Sequence, residues 1–526
     1  MPQRLCLAIF CLAFVAPGRA RAAPTWQPVE TIHHHPPART PRQPALPPAV
    51  RKLGRSVFRH LPRWLRHTLL RRKADLIVLS DLHLGEGRRG GRYSALEDCT
   101  VDRELVQLIH HVLRRQRRSA RPLKLVLAGD ALDFIKTTRP APRRRIPDSV
   151  DRDARPTEAV ALEKLRSIAA GHPRVFAAFR RLLAHGHEIT VVFGNHDQEL
   201  NFPAVQRAFR QLLAADKGRT RRRLHFRPWF ELHGRVYIEH GQRYEPLTSI
   251  PAMLHPIEDE GGERRLRGSA ANFLVAEMLN HIKRDIPQLN FLPSGRRMLL
   301  EVARRAPHES TALVQFADRI ARRMGEQPPP SVITAHQARL AEMADSRPLL
   351  RAVNASRRGM GLPRLSSGRL ESLLWRLDRL GARPHLQRPK PRGGRLRRLT
   401  TMLKPSELDR WLQPANEATL REGQAFLLTH LSDTVVMGHT HSANHYEIPR
   451  PGRTPAHLLN TGTWTPVVRS GHALDRKATL TFADIHQASG RLVVRLRRWD
   501  AGRRRAETIP AQPLDAGRFL GEDAPH

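Results

Sequence analysis

Five times along the chain, an apolar run ends and is followed at once by residues of the types that bind metals. The first run, residues 76–80, leads directly into Asp81 and His83. At the end of an extended strand, residues two apart point the same way, so this pair presents an oxygen and a nitrogen to one cation. The later copies lie at residues 123–133, 189–197, 236–241 and 435–441. Because polar groups that follow strands gather at one edge of a sheet, the pattern predicts an open α/β or sandwich sheet with its functional groups there.

The second and third copies add carboxylates and an amide. Gly129 lets the backbone turn so that Asp130 faces the cation, and we expect Asp130 to bridge two metals. The third copy, residues 194–197, reads Gly-Asn-His-Asp and is the most specific of the five. The side-chain oxygen of Asn195 is a neutral ligand, whereas His196 is expected to reach a phosphate without binding the metal. Alone, this motif is also compatible with an ordinary turn.

The fourth and fifth copies contribute histidines. His240 follows the fourth run, and His439 and His441, two residues apart, share one face at the end of the fifth. Carboxylates, an amide and several imidazoles form a nitrogen and oxygen site that suits Mn²⁺, Fe, Zn²⁺ or Co²⁺. Two such ions, held about 3.5 to 4 Å apart by a bridging carboxylate, activate a water and stabilise both the attacking and the leaving oxygen of a phosphorus ester.

Length and composition set the wider limits. A chain of 526 residues exceeds one ordinary domain. Its net charge of +41 suits an anionic partner: a phosphorylated substrate, an acidic membrane surface or nucleic acid. The alternative is that a GC-rich genome has enriched the chain in arginine and alanine. The 3 cysteines, 2 of them before residue 12, exclude a disulfide framework and a thiolate metal site.

The N-terminal 73 residues contain three different segments. Residues 1–22 combine a short apolar run with an Ala-Arg-Ala cleavage signal and are expected to be a signal peptide, unless the start codon is misassigned. The chain would then be exported or periplasmic; otherwise we expect it in the cytoplasm, peripheral on the inner membrane. Residues 23–48 read as a proline-rich linker. Residues 49–73 form a basic amphipathic segment that lies either on an anionic membrane or on the catalytic domain.

The remaining residues divide into a core and an insertion. We expect a catalytic domain at residues 74–247 and 427–500, a mainly helical basic insertion at 248–426, and a tail at 501–526. No further acid, histidine or glycine-rich phosphate motif occurs in the insertion, so we expect it to shape substrate access. Its histidines, such as His281 and His336, are expected to be packing or surface residues. Strands at residues 457–460, 479–485 and 491–499 are expected to complete a second sheet.

The ordered motifs resemble those of the calcineurin-like metallophosphoesterases. They are Asp81-x-His83, Gly129-Asp130-x-x-Asp133, Gly194-Asn195-His196-Asp197, His240 and Gly438-His439-x-His441. The resemblance covers residues 75–245 and 427–500. It implies an α/β fold, a four-layer sandwich of two mixed β-sheets flanked by helices.

The resemblance also implies a role for each motif residue. One metal would be held by Asp81, His83, Asp130 and His441, and the other by Asp130, Asn195, His240 and His439. His196 would stabilise the phosphoryl transition state or protonate the leaving group, Asp197 would orient His196, and Asp133 would support the ligands from behind. The implied activity is hydrolysis of phosphomonoesters or phosphodiesters by direct attack of a metal-bound hydroxide. Two divalent ions are implied, with Mn²⁺ expected and Fe, Zn²⁺ or Co²⁺ as alternatives.

Three alternatives concern the substrate and the activity. The residues around Asp81 and the turn at 460–464 are also similar to the bacterial UDP-2,3-diacylglucosamine pyrophosphatase branch. That branch generally has Arg where this chain has His196, which favours a broader phosphoesterase. A nuclease is the second alternative, although the insertion shows no regular aromatic interleaving for base stacking. The non-enzymatic alternative is a metal-stabilised scaffold that binds an anionic membrane or nucleic acid through its charge.

Overall fold

The computed structural model describes residues 74–514, apart from 120, 138–153, 246, 251, 286–327, 387–431, 451–453, 469–473, 476–478 and 489–490. The expected signal peptide, linker and amphipathic segment lie outside the described residues. Among the described helices, none has the length and apolar character needed to cross a bilayer.

The described residues form β-strands and helices in the following order along the chain. The strands are β1 (Asp75–Leu79), β2 (Arg88–Arg89), β3 (Arg92–Tyr93), β4 (Leu123–Ala128), β5 (Glu188–Val192), β6 (Leu224–Arg227), β7 (Phe230–His233), β8 (Val236–Glu239), β9 (Ile257–Glu260), β10 (Glu263–Leu266), β11 (Thr434–Met437), β12 (Ala443–Ile448), β13 (Ala456–Thr461), β14 (Val467–Val468), β15 (Leu474–Asp475), β16 (Thr481–Ala488), β17 (Arg491–Asp500), β18 (Arg505–Ile509) and β19 (Gln512–Pro513). The α-helices are α1 (Asp102–Ser119), α2 (Glu158–Gly171), α3 (Pro173–Ala184), α4 (Pro203–Leu212), α5 (Gly218–Arg221), α6 (Ala270–Leu274), α7 (Asn280–Asp285), α8 (Pro330–Asp345), α9 (Arg347–Gly359) and α10 (Ser367–Leu386). Two 3-10 helices, Gln198–Asn201 and Gln242–Tyr244, and a π-helix, Val275–Leu279, complete the set.

Seven of these strands make a mixed sheet in the order β18-β17-β16-β1-β4-β5-β6. The strands β1, β4, β5 and β6 run parallel, and β16, β17 and β18 continue the sheet antiparallel. The prediction that the hairpin β16–β17 belongs to the second sheet is wrong, because Leu76 of β1 pairs with Ile485 of β16. The hairpin extends the first sheet because its residues Phe482 and Trp499 join Ile77 of β1 in the buried cluster beneath the helices that cover that sheet.

A second mixed sheet has the order β19-β12-β13-β11-β8-β7. The strands β8, β11 and β13 are parallel, and β7 and β12 flank them antiparallel. Residues of the expected C-terminal tail contribute to both sheets, since β18 pairs with β17 and β19 pairs with β12. The two mixed sheets and their helices make this an α/β protein.

Alternate side chains of β1 face two different cores, as the two-residue period of a strand requires. Leu76 and Val78 point into a core that both sheets share. That shared core includes Val126, Val192, Ile238, Val436, Leu459 and Ala483. Ile77 and Leu79 point the other way, onto helices that cover the first sheet. This outer core includes Leu105, Leu108, Leu165, Phe179 and Phe209.

The insertion covers the outer face of the second sheet. Leu340, Val353 and Leu374, one from each of the helices α8, α9 and α10, are fully buried in one cluster with Tyr237 and Val435 of that sheet. Helices therefore pack on the outer face of each sheet, and those on the second sheet come from the insertion.

The insertion is not entirely helical, because β9 and β10 pair as an antiparallel hairpin. His336 is a buried packing residue, with its Nε2 atom 3.1 Å from Asp378 Oδ2. The side chain of His281 lies outside the described residues.

Candidate metal centre

Residues that follow five different strands meet at one end of the two sheets. Asp81 and His83 follow β1, and His441 follows β11. The Nε2 atoms of His83 and His441 lie 3.1 Å apart, and His441 Nε2 lies 3.3 Å from Asp81 Oδ1. One ligand atom from each of these three residues lies within 4.8 Å of the others, so the group could hold a metal ion.

A second group lies beside the first. It consists of Asp130, His240 and His439, again with ligand atoms within 4.8 Å of one another. His240 Nε2 lies 3.2 Å from Asp130 Oδ2 and 3.2 Å from the side-chain oxygen of Asn195. Asp130 Oδ2 is also 3.8 Å from His83 Nε2, so this carboxylate lies between the two groups.

A third set of possible ligands overlaps both groups. It contains His83, Asp130 and His196. The structure therefore brings all seven sequence-predicted metal ligands together, and His196 lies against them. The rings of His83 and His196 meet edge to face with their centroids 4.6 Å apart.

The backbone at the site is unusual. Five of the nine non-glycine residues with positive φ in the described part of the chain are candidate ligands, namely Asp81 (51°), His83 (49°), Asp130 (50°), His439 (70°) and His441 (58°). Such conformations cost about 1 to 3 kcal/mol each and concentrate at functional sites, where the surroundings hold them in place. Their presence at five candidate ligands is a structural reason, independent of the sequence motifs, to locate function here.

Two glycines are required by the close approach of the ligand loops. A methyl group at Gly194 would overlap the Asp130 carboxylate, and one at Gly129 would overlap the ring of His240. Gly129 also has a φ of 83°, in the left-handed region. These positions bring Asp130 and His240 together only because neither glycine carries a side chain.

Three candidate histidine ligands each engage one ring nitrogen with a protein acceptor. His83 Nδ1 donates to Asp133 Oδ2 at 2.9 Å, and His240 Nδ1 donates to Ala128 O at 3.0 Å. His439 Nε2 donates to a Glu245 carboxylate oxygen at 2.6 Å. In each ring the other nitrogen is left for a metal, which is the usual arrangement of metal-bound histidines.

Asp133 supports the candidate ligand His83, as expected, and it also makes the contact with His196 that was expected of Asp197. The carboxylate that contacts His196 belongs to Asp133, whose Oδ1 lies 2.9 Å from His196 Nδ1. Asp197 is fully buried and does not contact that ring; its oxygens accept hydrogen bonds from the backbone N–H groups of Gly194 at 2.6 Å and Ala131 at 2.9 Å. These two amides are buried donors that need acceptors, so Asp197 joins the loops after β4 and β5. The expectation that Asp197 orients His196 is therefore wrong.

Sequence patterns missed two residues next to the site. Glu245 follows the 3-10 helix Gln242–Tyr244 and belongs to none of the five motifs, yet it contacts His439. Lys136 contacts Asp133, with its Nζ 3.2 Å from Asp133 Oδ2. The signal that the sequence offers is proximity: Lys136 lies three residues after Asp133, and Glu245 lies five residues after His240.

The electrostatics of the site fit a divalent cation. Burial alone would raise the pKa of Asp130, but the imidazoles of His240 and His196 hold it well below its usual range. Burial alone would lower the pKa of His240, but Asp130 and Asp81 raise it to about 10. A proton on His240 thus offsets carboxylate charge, and a bound metal can replace that proton because metal binding releases protons from its ligands. Buried oxygen and nitrogen donors of this kind match the preferences of first-row divalent metals.

A scan against protein-family models, a search of curated proteins and a search of solved structures found no match to this chain. The interpretation of its function therefore depends on the geometry of the site and on the ordered motifs.

Proposed function

We propose that this chain is a binuclear metal-dependent hydrolase of phosphoester bonds, related to the calcineurin-like metallophosphoesterases. The supporting observation is that Asp130 lies between two groups of buried ligands drawn from five strand ends. In this proposal Asp81, His83 and His441 hold one divalent ion. Asn195, His240 and His439 hold the other, and Asp130 contacts both.

The proposed fold is the metallophosphoesterase sandwich. Two mixed sheets share one core and carry helices on their outer faces, which agrees with that architecture. The candidate ligands also follow the parallel strands of both sheets, at the end where such sheets bind ligands.

When bound, the two divalent ions, with Mn²⁺ proposed, would activate a water molecule and stabilise negative charge on the phosphoryl group. His196 Nδ1 is engaged by Asp133, so Nε2 is the atom placed to donate a proton to the leaving oxygen. The His441 side chain is 36% exposed and that of His196 12%, whereas the Asp81 and Asp130 side chains are almost fully buried. The phosphorylated substrate is therefore proposed to approach from the side of the two histidines.

The proposal is tested by Mn²⁺-dependent hydrolysis of bis-p-nitrophenyl phosphate by the full chain and by Asp130→Asn. The wild-type chain should bind two ions, whereas Asp130→Asn should lose metal and turn over at least about 100-fold more slowly, because both ions lose a shared anionic ligand. Asp484→Asn is the matched control. Asp484 is a buried aspartate bound by Arg115 and Arg497, outside the site, and its substitution should leave metal content unchanged.

The results of these assays distinguish the proposed phosphoesterase from a pyrophosphatase and from a non-enzymatic scaffold. Near-normal turnover by Asp130→Asn with two bound ions would contradict a bridging role for this carboxylate. A sugar-nucleotide pyrophosphate, assayed in parallel, distinguishes a pyrophosphatase from a broader phosphoesterase. A wild-type chain that binds metal without turnover, and binds polyanions with a steep salt dependence after the metal is removed, would favour the scaffold.

A further inference from the structure

A chain of buried ionic contacts runs from the candidate metal centre to the insertion. Lys136 Nζ lies 3.2 Å from Asp133 Oδ2 and also donates to the carboxylate of Asp98. Lys283 Nζ donates to the other oxygen of Asp98 and, at 2.7 Å, to the backbone oxygen of Leu96. The two lysines and two aspartates alternate in charge, and each is at least 94% buried.

Among these four ionic residues, Asp133 is the one that contacts the candidate metal centre. Its Oδ2 accepts from His83 Nδ1 at 2.9 Å and faces Lys136 Nζ. Its Oδ1 contacts His196 Nδ1 at 2.9 Å and accepts from the backbone N–H of Lys136 at 3.0 Å. A carboxylate with two partners on each oxygen has little freedom to rotate. The orientation of the Asp133 carboxylate therefore sets the orientation of two rings, that of the candidate ligand His83 and that of the candidate proton donor His196.

Lys283, the ionic residue farthest from the metal centre in this series of contacts, belongs to α7 within the insertion. Asn280, the first residue of that helix, donates from Nδ2 to the backbone oxygen of Ile135 at 2.9 Å. Lys283, one turn later, reaches Asp98. The helix thus contacts the segment that contains Lys136 and the segment that contains Asp98.

We propose that Lys136, held in place by Asp98 and by Lys283 of the insertion, is a positioning residue for the metal centre. Lys136 lies between two carboxylates and is shared by them. Without Lys283, Asp98 keeps one cation in place of two and draws Lys136 away from Asp133, because a buried charge without its partner is strongly unfavourable. Asp133 then loses one of its four contacts, and both rings lose their fixed orientation. In this proposal, the insertion helps to hold the residues around the metal ligands in place.

The test compares the Mn²⁺ affinity of the metal-free full chain, measured by titration calorimetry, among the wild type, four single variants and one double variant. Lys136→Met removes the charge and keeps most of the volume; it should weaken Mn²⁺ binding about 10- to 100-fold, the range for losing an outer partner of a metal ligand. Lys283→Met should weaken it in the same direction, by about tenfold. Lys283→Arg keeps the charge and should restore most of the affinity. Lys124→Met is the control, because Lys124 forms a buried ion pair with Glu231 outside the site.

Thermal unfolding of each variant separates positioning from general stability. Lys124→Met should lower the unfolding midpoint without changing Mn²⁺ affinity. If Lys136→Met and Lys283→Met behave in that same way, the proposal is overturned. The double variant should bind Mn²⁺ no more weakly than Lys136→Met alone, because Lys283 acts on the site only through Asp98 and Lys136, and additive losses would contradict this. Should Lys136→Met not fold, Lys283→Met and Lys283→Arg decide the question by themselves.

The proposal depends on the proposed function only for the turnover measurement. With bis-p-nitrophenyl phosphate, Lys283→Met should lower kcat while leaving KM within about twofold, since the lysine does not touch the substrate. A wild-type chain that binds Mn²⁺ without hydrolysis would contradict the hydrolase, and the affinity series would still test the positioning role. Unchanged affinity in an active chain would refute the positioning role alone.

Discussion

His172, between α2 and α3, is a buried histidine whose proton is expected to stabilise the loop behind the metal centre. Its Nδ1 lies 2.8 Å from Asp102 Oδ1, and its Nε2 lies 3.4 Å from Glu97 Oε2. Glu97 in turn accepts hydrogen bonds from the backbone N–H groups of Gly85 and Gly87, just after His83 in the chain. Replacing His172 therefore removes a charge that holds Glu97 in place.

The size of the effect follows from the pKa of His172. Burial alone would lower this pKa, but the contacts with Asp102 and Glu97 raise it from 6.5 to about 9. Because the folded pKa is above the unfolded one, the stabilisation is fully present below pH 6.5 and is lost as the pH rises through 9. A difference of this size corresponds to about 3 kcal/mol in the free energy of unfolding.

The measurement is urea unfolding of the wild-type chain and of His172→Gln at pH 6 and at pH 10. The difference in unfolding free energy between them should be about 3 kcal/mol smaller at pH 10 than at pH 6. His187→Gln is the control, because burial, His185 and Arg223 lower the pKa of His187, so its contribution to stability should change between pH 6 and pH 10 in the opposite direction to that of His172. A difference for His172→Gln that is the same at both pH values would refute a protonated His172.

Three further substitutions test the site itself. His196→Ala should keep the bound metal and lower kcat about 100- to 10,000-fold, the usual loss for a general acid; loss of metal would instead make His196 a ligand. Gly194→Ala places a methyl group against the Asp130 carboxylate and should lower metal content by elemental analysis. Gly368→Ala, where the added methyl group meets open space, should not. Glu245→Gln should weaken Mn²⁺ affinity about 10- to 100-fold, since the ring of His439 loses its carboxylate partner; unchanged affinity would show that the contact has no influence on the metal.

The strands that lead to the site could be predicted well from the sequence. The structure places strands where the apolar runs lead into the motifs: β4 begins with the first residue of the copy at 123–133, and β1 and β5 each begin one residue before the copies that start at 76 and 189. These strands are buried on both faces, so they appear as continuous apolar runs that stop where the polar ligand residues begin. Their ends, and therefore the candidate ligands, are visible in the sequence for the same reason.

Contacts between distant segments could not be predicted in this way. The family resemblance implied that Asp197 orients His196, but in the fold the oxygens of Asp197 accept from the backbone N–H groups of Gly194 and Ala131. Asp133 reaches His196 because the loops after β4 and β5 lie side by side. Likewise, the alternation of β16 and β17 predicts strands without saying which sheet edge they join. Pairing and side-chain partners depend on the tertiary arrangement, and a local pattern does not contain it.

The insertion shows that amino-acid composition does not reveal which charged residues are buried. Its basic composition does not show where each charge lies: Lys283 is 99% buried between Asp98 and a backbone oxygen. Its helices α8, α9 and α10 bury Tyr237 and Val435, so removing residues 248–426 would expose that apolar face as well as Asp98. Loss of activity after such a deletion would therefore not distinguish a part in catalysis from a part in stability. Single substitutions at Lys283, compared with Lys124, do distinguish them, because both remove a buried charge and only one lies in contact with the network that reaches the metal ligands.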